Sequence, residues 1–581
     1  MKVSVIPLRR LPTHFFTLDY DTADLLIVPG MLVEIPFRSK KILGVVYEIS
    51  VESPTSTTPP LKKILQILNE TPLLNATTLK LFRDFHELHG GPSSVNLELF
   101  LPPLLKRRLR KLHLPAMTGQ SNLLPGNITV FRYHAEEERQ QFLKDQTRGA
   151  KRRDQILLVV PQIIETKKLA KNLDALPYHS QMTSAERFEV WEKAANGAPL
   201  IVGTRIALFL PWQKLKTIIV DKEQDESHDN WDQHPRYRGR EVALLLSKHL
   251  GSRVIFSSYS LAVETALFAE KKKWRSEIAI FPPPLPATII NMRDDRDRKN
   301  FSPLSLTAEN EIRNANGVFI LASRTGLFHH VSCRDCAAAL QCESCGQMLT
   351  LYRDRNLICH ACSRVKSMPA VCANCQGANF RQYGAGLEAI QDQLAKKFPE
   401  RHNIFVGTTV ASPEIEWMLI EKIIIADPDI FFHLPDYRGL ERLWHKIQEL
   451  RFLAPSAAIH IQTDHPDHPF WRALTTAPAN FYNREWRARQ NFLYPPFSLL
   501  LELFTATASQ SEGLKEAQHV RKMATNHADS KNVSDPQILP TSRKERAVKI
   551  QITVKLVGKN RAEARRRIID ELPEKWYALS R

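Results

Sequence analysis

The chain has 581 residues, about four domains at the usual size, and its 80 Lys and Arg against 62 Asp and Glu give a formal charge of +18. Hydrophobic residues at 43% and charged residues at 24% are globular values that exclude a wholly disordered chain. No run of ~18 uncharged apolar residues occurs, which excludes a transmembrane helix, and the opening MKVSVIPLRR has no apolar signal-peptide core. The expectation is a cytoplasmic protein with polyanion partners, nucleic acid before membrane surfaces.

Residues 1–70 predict a small β-rich unit, because MLVEIPF and ILGVVYEI alternate or run apolar between Pro and Gly punctuation. Residues 71–104 predict helix: LNATTLKLFRDFHELH has apolar residues at helical spacing, with Asn75 or Thr77 as cap. The basic run Lys106, Arg107, Arg108, Arg110 and Lys111 reads equally as a phosphate grip or as a solvated helix end. From about 125, ITVFRY, QILLVVP, PLIVGT, TIIVD and RVIFSS are buried-type strands separated by helical stretches, the pattern of a parallel α/β sheet. A second such series comes next in GVFILAS, HNIFVGT, EKIIIAD and AAIHIQT. After 480 an α+β region ends in the basic strand KERAVKIQITVKLVG and a helix carrying Arg561, Arg565, Arg566 and Arg567.

All eight cysteines lie inside the second series, as four Cys-x-x-Cys pairs: Cys333/Cys336, Cys342/Cys345, Cys359/Cys362 and Cys372/Cys375. A two-residue gap turns both thiolates of a knuckle toward one ion, and two knuckles close a tetrahedral sulfur site. Four pairs therefore predict two structural Zn2+ sites with no position open for water. Zinc supplies much of the module's folding energy, since few apolar residues lie between the pairs. The two outer pairs sharing one ion and the two inner pairs the other, or neighbour pairing with neighbour, are both compatible with the spacing. His360, within the third knuckle, reads as a solvent-facing neighbour of a full sulfur set.

Two tandem α/β lobes with a double zinc module in the second resemble the primosomal replication-restart helicase family (primosomal protein N′) of helicase superfamily 2. The first lobe carries the resemblance in VVPQIIET (159–166), IVGTRIALFLPWQKLKTIIVD (201–221) and HPRYRGREVALL (234–245). The second carries it in the eight cysteines, YGAGLEAI (383–390), HLPDYRGLERLWH (433–445) and IQTDHPDHP (461–469). FYNREWRARQNFLYPPFSLL (481–500) extends it, and LPTHFF (11–16), PGMLVEIPF (29–37) and LKKI (61–64) are similar to the family's 3′-end-binding domain.

The resemblance implies a multidomain α/β fold with two RecA-like parallel-sheet lobes. Its units would be a 3′-DNA-end-binding-like domain at 1–70, a winged-helix-like segment and basic linker at 71–118, and lobe one at 119–285. Lobe two would take 286–331 and 377–478 around the zinc module at 332–376, before a C-terminal DNA- or partner-binding domain at 479–581. It also implies a nested zinc arrangement, Cys333, Cys336, Cys372 and Cys375 on one ion and Cys342, Cys345, Cys359 and Cys362 on the other.

A helicase needs a nucleotide site, and a P-loop needs glycines, a Lys and a Ser or Thr. The region after the first lobe-one strand reads ITVFRYHAEEERQQFL, with no Gly and no Lys. Glu136, Glu137 and Glu138 stand at the helix start, where they satisfy the helix dipole and repel phosphate. Gly558-Lys559, the chain's Gly-Lys dipeptide, precedes an Asn and has no glycine five residues before it. The family's Asp-Glu-Glu-His is here Asp221-Lys222-Glu223-Gln224, and its Gly-Ser-Ala-Thr is Phe256-Ser257-Ser258-Tyr259. The arginine-finger element reads Phe452-Leu453-Ala454-Pro455-Ser456, with Arg451 out of register. The Gly-Thr-x-Met-x-x-Lys-Gly element reads Gly407-Thr408-Thr409-Val410-Ala411-Ser412-Pro413-Glu414. An arginine finger alone is worth roughly 10³-fold or more. Five losses around one cleft predict that ATP and Mg2+ are not bound and that no catalytic residue remains; the low count of 21 glycines agrees.

The DNA-facing features survive better. Gly203-Thr204-Arg205 offers an amide, a hydroxyl and a guanidinium at a strand-to-helix turn, suited to phosphate or to ordinary capping. In DNWDQHPRYRGRE, Trp231, Arg236, Tyr237, Arg238 and Arg240 interleave rings and cations that could stack bases or pack the loop. By resemblance Phe15 matches the aromatic and Lys62 the lysine of the 3′-end pocket, while Phe16, Thr17 and Arg38 depart from it.

The sequence supports three readings. The first is a replication-restart factor with a dead helicase core, a monomer that binds branched or single-stranded DNA. The resemblance gives it single-strand-binding protein and other primosome proteins as partners, no membrane, and help in reloading the replicative helicase. The second is an active 3′→5′ helicase with an unrecognised nucleotide site. The third is a zinc-stabilised structural subunit that meets nucleic acid.

Overall fold

A computed structural model describes the chain apart from residues 12–14, 23–24, 51–60, 70, 110–111, 113, 115–125, 149–153, 231–233, 272, 277–278, 301, 324–329, 337, 344–347, 353, 360–363, 384–385, 409–414, 433–435, 540–547, 574 and 581. Five strands open the fold, β1 (Lys2–Pro7), β2 (Leu18–Asp21), β3 (Leu32–Phe37), β4 (Lys40–Ser50) and β5 (Gln66–Ile67), in the antiparallel order β2-β1-β4-β3-β5. Gly30 ties this sheet to the segment that leads into the first helix. At φ +89° its backbone passes so close to Leu74 that a Cβ would meet that carbonyl at 1.7 Å. Helix α1 (Ala76–His89) is capped by Asn75, whose Oδ1 accepts the Thr78 N–H at 2.7 Å. Its buried face, Leu79, Leu81, Phe82 and Phe85, belongs to one core with Ile6, Leu32 and Val45 of the sheet and Leu157, Ile201, Phe209 and Phe256 of the first lobe.

The first lobe is a seven-stranded parallel sheet: β6 (Ile128–Arg132), β7 (Gln155–Val159), β8 (Leu176–Tyr178), β9 (Leu200–Gly203), β10 (Leu215–Asp221), β11 (Arg253–Ser258) and β12 (Arg275–Ser276). The order is β12-β6-β11-β10-β7-β9-β8. Helix α2 (Glu136–Thr147) comes after β6, α3 (Gly239–Leu250) precedes β11, and α4 (Val263–Glu270) comes after it. The central strands are fully buried, as their Val- and Ile-rich runs require in a sheet covered on both faces.

The second lobe is a parallel sheet of β13 (Ala287–Asn291), β14 (Val318–Leu321), β17 (Ile404–Gly407), β18 (Lys422–Ile425) and β19 (Ala458–Thr463), in the order β13-β19-β18-β14-β17. Between β14 and β17 the cysteine module runs from β15 (His330–Cys333) to β16 (Phe380–Tyr383), which pair antiparallel. Helices α5 (Gly439–Leu453) and α6 (Pro478–Asn491) flank the sheet. The last unit is an antiparallel sheet of β20 (Leu499–Thr507), β21 (Gln537–Leu539), β22 (Val548–Leu556) and β23 (Tyr577–Ser580), in the order β21-β22-β20-β23, with α7 (Arg561–Glu571) beside it. No helix among the described residues is long and apolar enough to cross a membrane.

The two lobes share a core. Leu261, Val263, Ala266 and Leu267 of the first are buried with Trp444, Ile447, Phe470, Phe481 and Tyr482 of the second. Trp444 stacks on Phe481 at 4.2 Å, and its indole N–H donates to the Tyr482 hydroxyl, which donates to Leu261 O.

Candidate nucleic-acid interface and metal centre

The cleft between the lobes is built by the end of β6, the start of α2, the ends of β10 and β11, and α5. At the start of α2 the residues neutralise one another. The Glu138 carboxylate turns back to accept the His134 N–H at 2.7 Å, just ahead of the helix. Glu136 holds Arg139 at 3.0 Å. Arg139 reaches across to Asp221 at the end of β10, at 2.6–2.7 Å. Both side chains are buried, 5% and 0% exposed. Burial disfavours the guanidinium's charge, but Asp221, Glu165 and Glu136 hold it firmly protonated. The other Asp221 oxygen accepts from Ser257 Oγ at 2.8 Å. Lys222, whose φ of 50° is left-handed, pairs with Glu165 at 2.6 Å. Asp221 and Lys222 are therefore engaged by this chain's own side chains.

Three rings close the same cleft. Tyr133 and Tyr259 of the first lobe meet Phe452 of α5, with centroids at 5.5 Å and 5.0 Å from Phe452. Burial first, then the Asp221 charge, pushes the Tyr133 phenol well above its ordinary range. Arg451, the sequence neighbour of the expected finger, turns away and donates to the Pro283 carbonyl at 2.9 Å.

Beside the rings runs a buried interlobe ion network. Arg489 of α6 holds Glu264 at 2.8 Å and Glu441 at 2.7 Å. Glu441 also accepts the Val263 N–H across the lobes, while Arg240 holds Glu223 at 2.9 Å. A cavity of about 350 Å³ lies here, and its lining includes seven carboxylate residues and four Lys or Arg.

The expected DNA contacts divide. Phe15 is 46% exposed and Lys62 is exposed, on the N-terminal sheet unit. Phe16 is not a surface residue of the same kind: it packs on Tyr47, Phe82 and His86 and docks this unit on α1. Thr204 is buried and its hydroxyl makes no cap. Arg205 donates inward, to Ser227 O at 3.0 Å and Asn230 Oδ1 at 3.2 Å. Arg236 lies over Phe504 of the last unit, and Arg238 donates to the Tyr437 hydroxyl. Of the two roles open to Tyr237, the structure shows the packing one. Its ring is 4% exposed, edge-on to Phe85 and Phe209, because the loop folds into the core shared with α1. Trp231 lies outside the described residues. The loop joins units, and Arg236 and Arg238 sit at those joints.

In the cysteine module, Cys333, Cys336, Cys372 and Cys375 bring their sulfurs within 4.8 Å of one another. Cys333 and Cys375 are 3.5 Å apart and Cys336 and Cys372 3.7 Å. The edge of a zinc tetrathiolate with ~2.3 Å bonds is ~3.8 Å, so the set fits that ion. Outer pair meets outer pair, as the family arrangement implies. Just past the last knuckle, Asp335 packs close over Gly377, where a Cβ would meet its Oδ2 at 1.9 Å and the carboxylate would have to move. Asn374 and the Ala338 backbone pull Cys336 down to about 6, whereas Cys375, despite the Gly377 N–H, is pushed up to about 12 by Cys336 and Cys333. A cation at the centre would relieve that sharing. Of the second set, Cys342 and Cys359 are buried together in a small core, and Cys345 and Cys362 lie outside the described residues. His360 also lies outside them.

Sequence reasoning missed Arg139, Glu165, Glu264, Glu441 and Arg489. Arg139 had a local signal, three residues beyond Glu136 on one helix face. Glu165 meets Arg139 and Lys222 within the first lobe but across 26 and 57 residues, and Glu264, Glu441 and Arg489 come together only through the lobe contact.

Comparison with known proteins places these features. Residues 6–102 match a family model described as the PriA 3′ DNA-binding domain. The curated replication restart protein PriA of Chlamydia muridarum is 27% identical over 427 residues, 64% of this chain and 57% of its own length. Those of Bacillus subtilis and Haemophilus influenzae are each 24% identical, over 70% and 66% of this chain and 56% and 58% of their own. The chain thus spans less than three fifths of the length of these relatives. Among solved structures, RecG bound to a three-way DNA junction aligns with a TM-score of 0.31 and 11% identity, over 72% of this chain and 58% of that one.

Proposed function

We propose that this chain, a member of the PriA replication restart family, binds branched or forked DNA and assists replication restart as a static scaffold, without turning over ATP. The observation that carries the reading is the Arg139–Asp221 pair. Asp221 is the carboxylate that would hold Mg2+ in a helicase of this type, and it is 0% exposed and spent on an internal cation. Around it, Glu136, Glu137 and Glu138 put three carboxylates in the first helical turn, where phosphates would sit, and Tyr133, Tyr259 and Phe452 fill the space between the lobes. The acidic lining of the neighbouring cavity repels a polyphosphate.

In this reading the two sheets are degenerate RecA-like lobes held closed by their shared core rather than by nucleotide. A motor needs lobes that open and close; this pair has a continuous hydrophobic seam and a buried ion network instead. The zinc module carries two structural Zn2+ ions. Branched DNA, single-strand-binding protein and replicative-helicase loading factors are the partners, and the protein acts on the nucleoid.

The test is fluorescence anisotropy on labelled fork, duplex and single-stranded DNA of equal length, at two or more salt concentrations. The reading expects fork affinity above that for duplex at every salt. Weak binding that disappears with salt equally for all three would replace it with the structural-subunit reading.

A further inference from the structure

The N-terminal sheet carries a charge pattern that the scaffold reading leaves unused. The β3–β4 hairpin turns at Arg38, in the left-handed region at φ 52°. Glycine takes that conformation freely, whereas arginine is strained there. Phe37 lies immediately before the turn. The Arg38 guanidinium sits over its ring at 5.7 Å and that of Arg9, from the end of β1, at 5.3 Å. Two cations are thus gathered on one ring, which orders both. Arg9, Arg10, Arg38, Lys40 and Lys41 are all exposed. Among the described residues no carboxylate pairs with any of them; the nearby Asp19 is taken by Lys2 and Ser4.

We propose that Arg9 and Arg38, ordered by Phe37, form a phosphate clamp for the backbone of a DNA strand, so that the N-terminal unit grips internal phosphates rather than a free 3′-hydroxyl. The inference rests on the DNA-binding reading and names the chemistry of that contact. Guanidinium forks match phosphate oxygens and, unlike a lysine, keep their orientation when laid on a ring. Like charges held together without an acid are costly until a polyanion arrives, so the arrangement is suited to a polyanion and not to a neutral sugar hydroxyl.

The test compares wild type, R9Q/R38G and R9K/R38K by anisotropy on forks and on single strands ending in 3′-hydroxyl or 3′-phosphate, across a salt series. The glycine at 38 suits the backbone, so the neutral variant folds, with an unchanged melting temperature and zinc content as the check. Its salt slope on single strands is expected to fall by ~1.4, the value for two lost phosphate contacts, with affinity reduced ~10-fold at low salt. The loss should be equal for both strand ends, and the lysine variant should recover most of the slope. An unchanged slope while wild type still prefers forks overturns the clamp and leaves the DNA-binding reading standing. A loss confined to 3′-hydroxyl strands overturns it in favour of end recognition. Failure of wild type to bind any of these DNAs overturns both.

Discussion

Replacing Arg139 by Ala leaves the Asp221 carboxylate, 0% exposed, facing Ser257 Oγ as its remaining side-chain partner among the described residues. At ~4 Å between charge centres and an effective dielectric near 20, the lost attraction is ~4 kcal/mol. Breaking one side of a buried pair costs ~3–5 kcal/mol in practice, since the survivor stays desolvated. For a unit of this size each kcal/mol moves the melting temperature ~2–4 °C, so the variant should melt ~6–20 °C lower. Calorimetry gives the shift, and amide exchange along Leu215–Asp221 locates it in the first lobe. Arg148 provides the control: its bridge to Asp145 is 73% and 46% exposed, and Arg148→Ala should cost ~0–1 kcal/mol. Arg139→Met with Asp221→Asn removes both charges and should regain at least half of the loss. A shift for Arg139→Ala no larger than for Arg148→Ala would refute the claim that this pair fills the cleft structurally.

The same contacts set further outcomes. Phe452→Ala removes the ring that bridges the lobes and should cost ~3–5 kcal/mol by cavity formation, read by urea unfolding, without creating ATP hydrolysis. Chelation of zinc should unfold the 332–376 module while the parallel sheets persist, seen as loss of exchange protection confined to β15 and β16. Acidification should loosen the junction of α1 with the last unit. Burial first, then the Arg565 charge, holds His86 at about 4 and His89 at about 3. Unfolded histidines take up protons near 6.5, so this stability is complete above ~6.5 and is lost as pH falls from there toward 4 and 3. His89→Phe should flatten the decline in melting temperature between pH 7 and 5, and an unchanged slope would exclude the histidines as its source.

Much of the fold was legible because its signals are local. The runs ITVFRY, QILLVVP, TIIVD and RVIFSS became β6, β7, β10 and β11, since a buried parallel strand needs no partner-specific pattern, only continuous β-branched residues. The cap of α1 was narrowed to Asn75 or Thr77 from local residues alone, and Asn75 holds it. That the cysteines gather in fours was legible from spacing, and the structure brings Cys333 and Cys336 to Cys372 and Cys375 where β15 and β16 pair. Tyr237 stayed open between two roles because nothing local distinguishes a ring that stacks a base from one that packs on Phe85, 152 positions earlier in the chain. The contacts made at the start of α2 and between the lobes were not readable, because Arg139 meets Asp221 across 82 residues and Val263 meets Glu441 across 178.

The central claim is a restart scaffold whose cleft is closed by its own side chains, and hydrolysis of ATP·Mg2+ in the presence of forked DNA tests it most directly. The account predicts release of phosphate at the rate of a blank, with the fork dissociation constant the same whether ATP·Mg2+ is present or absent. Fork-stimulated hydrolysis that Asp221→Asn abolishes would contradict it, because Asp221 would then be free to hold a metal during turnover.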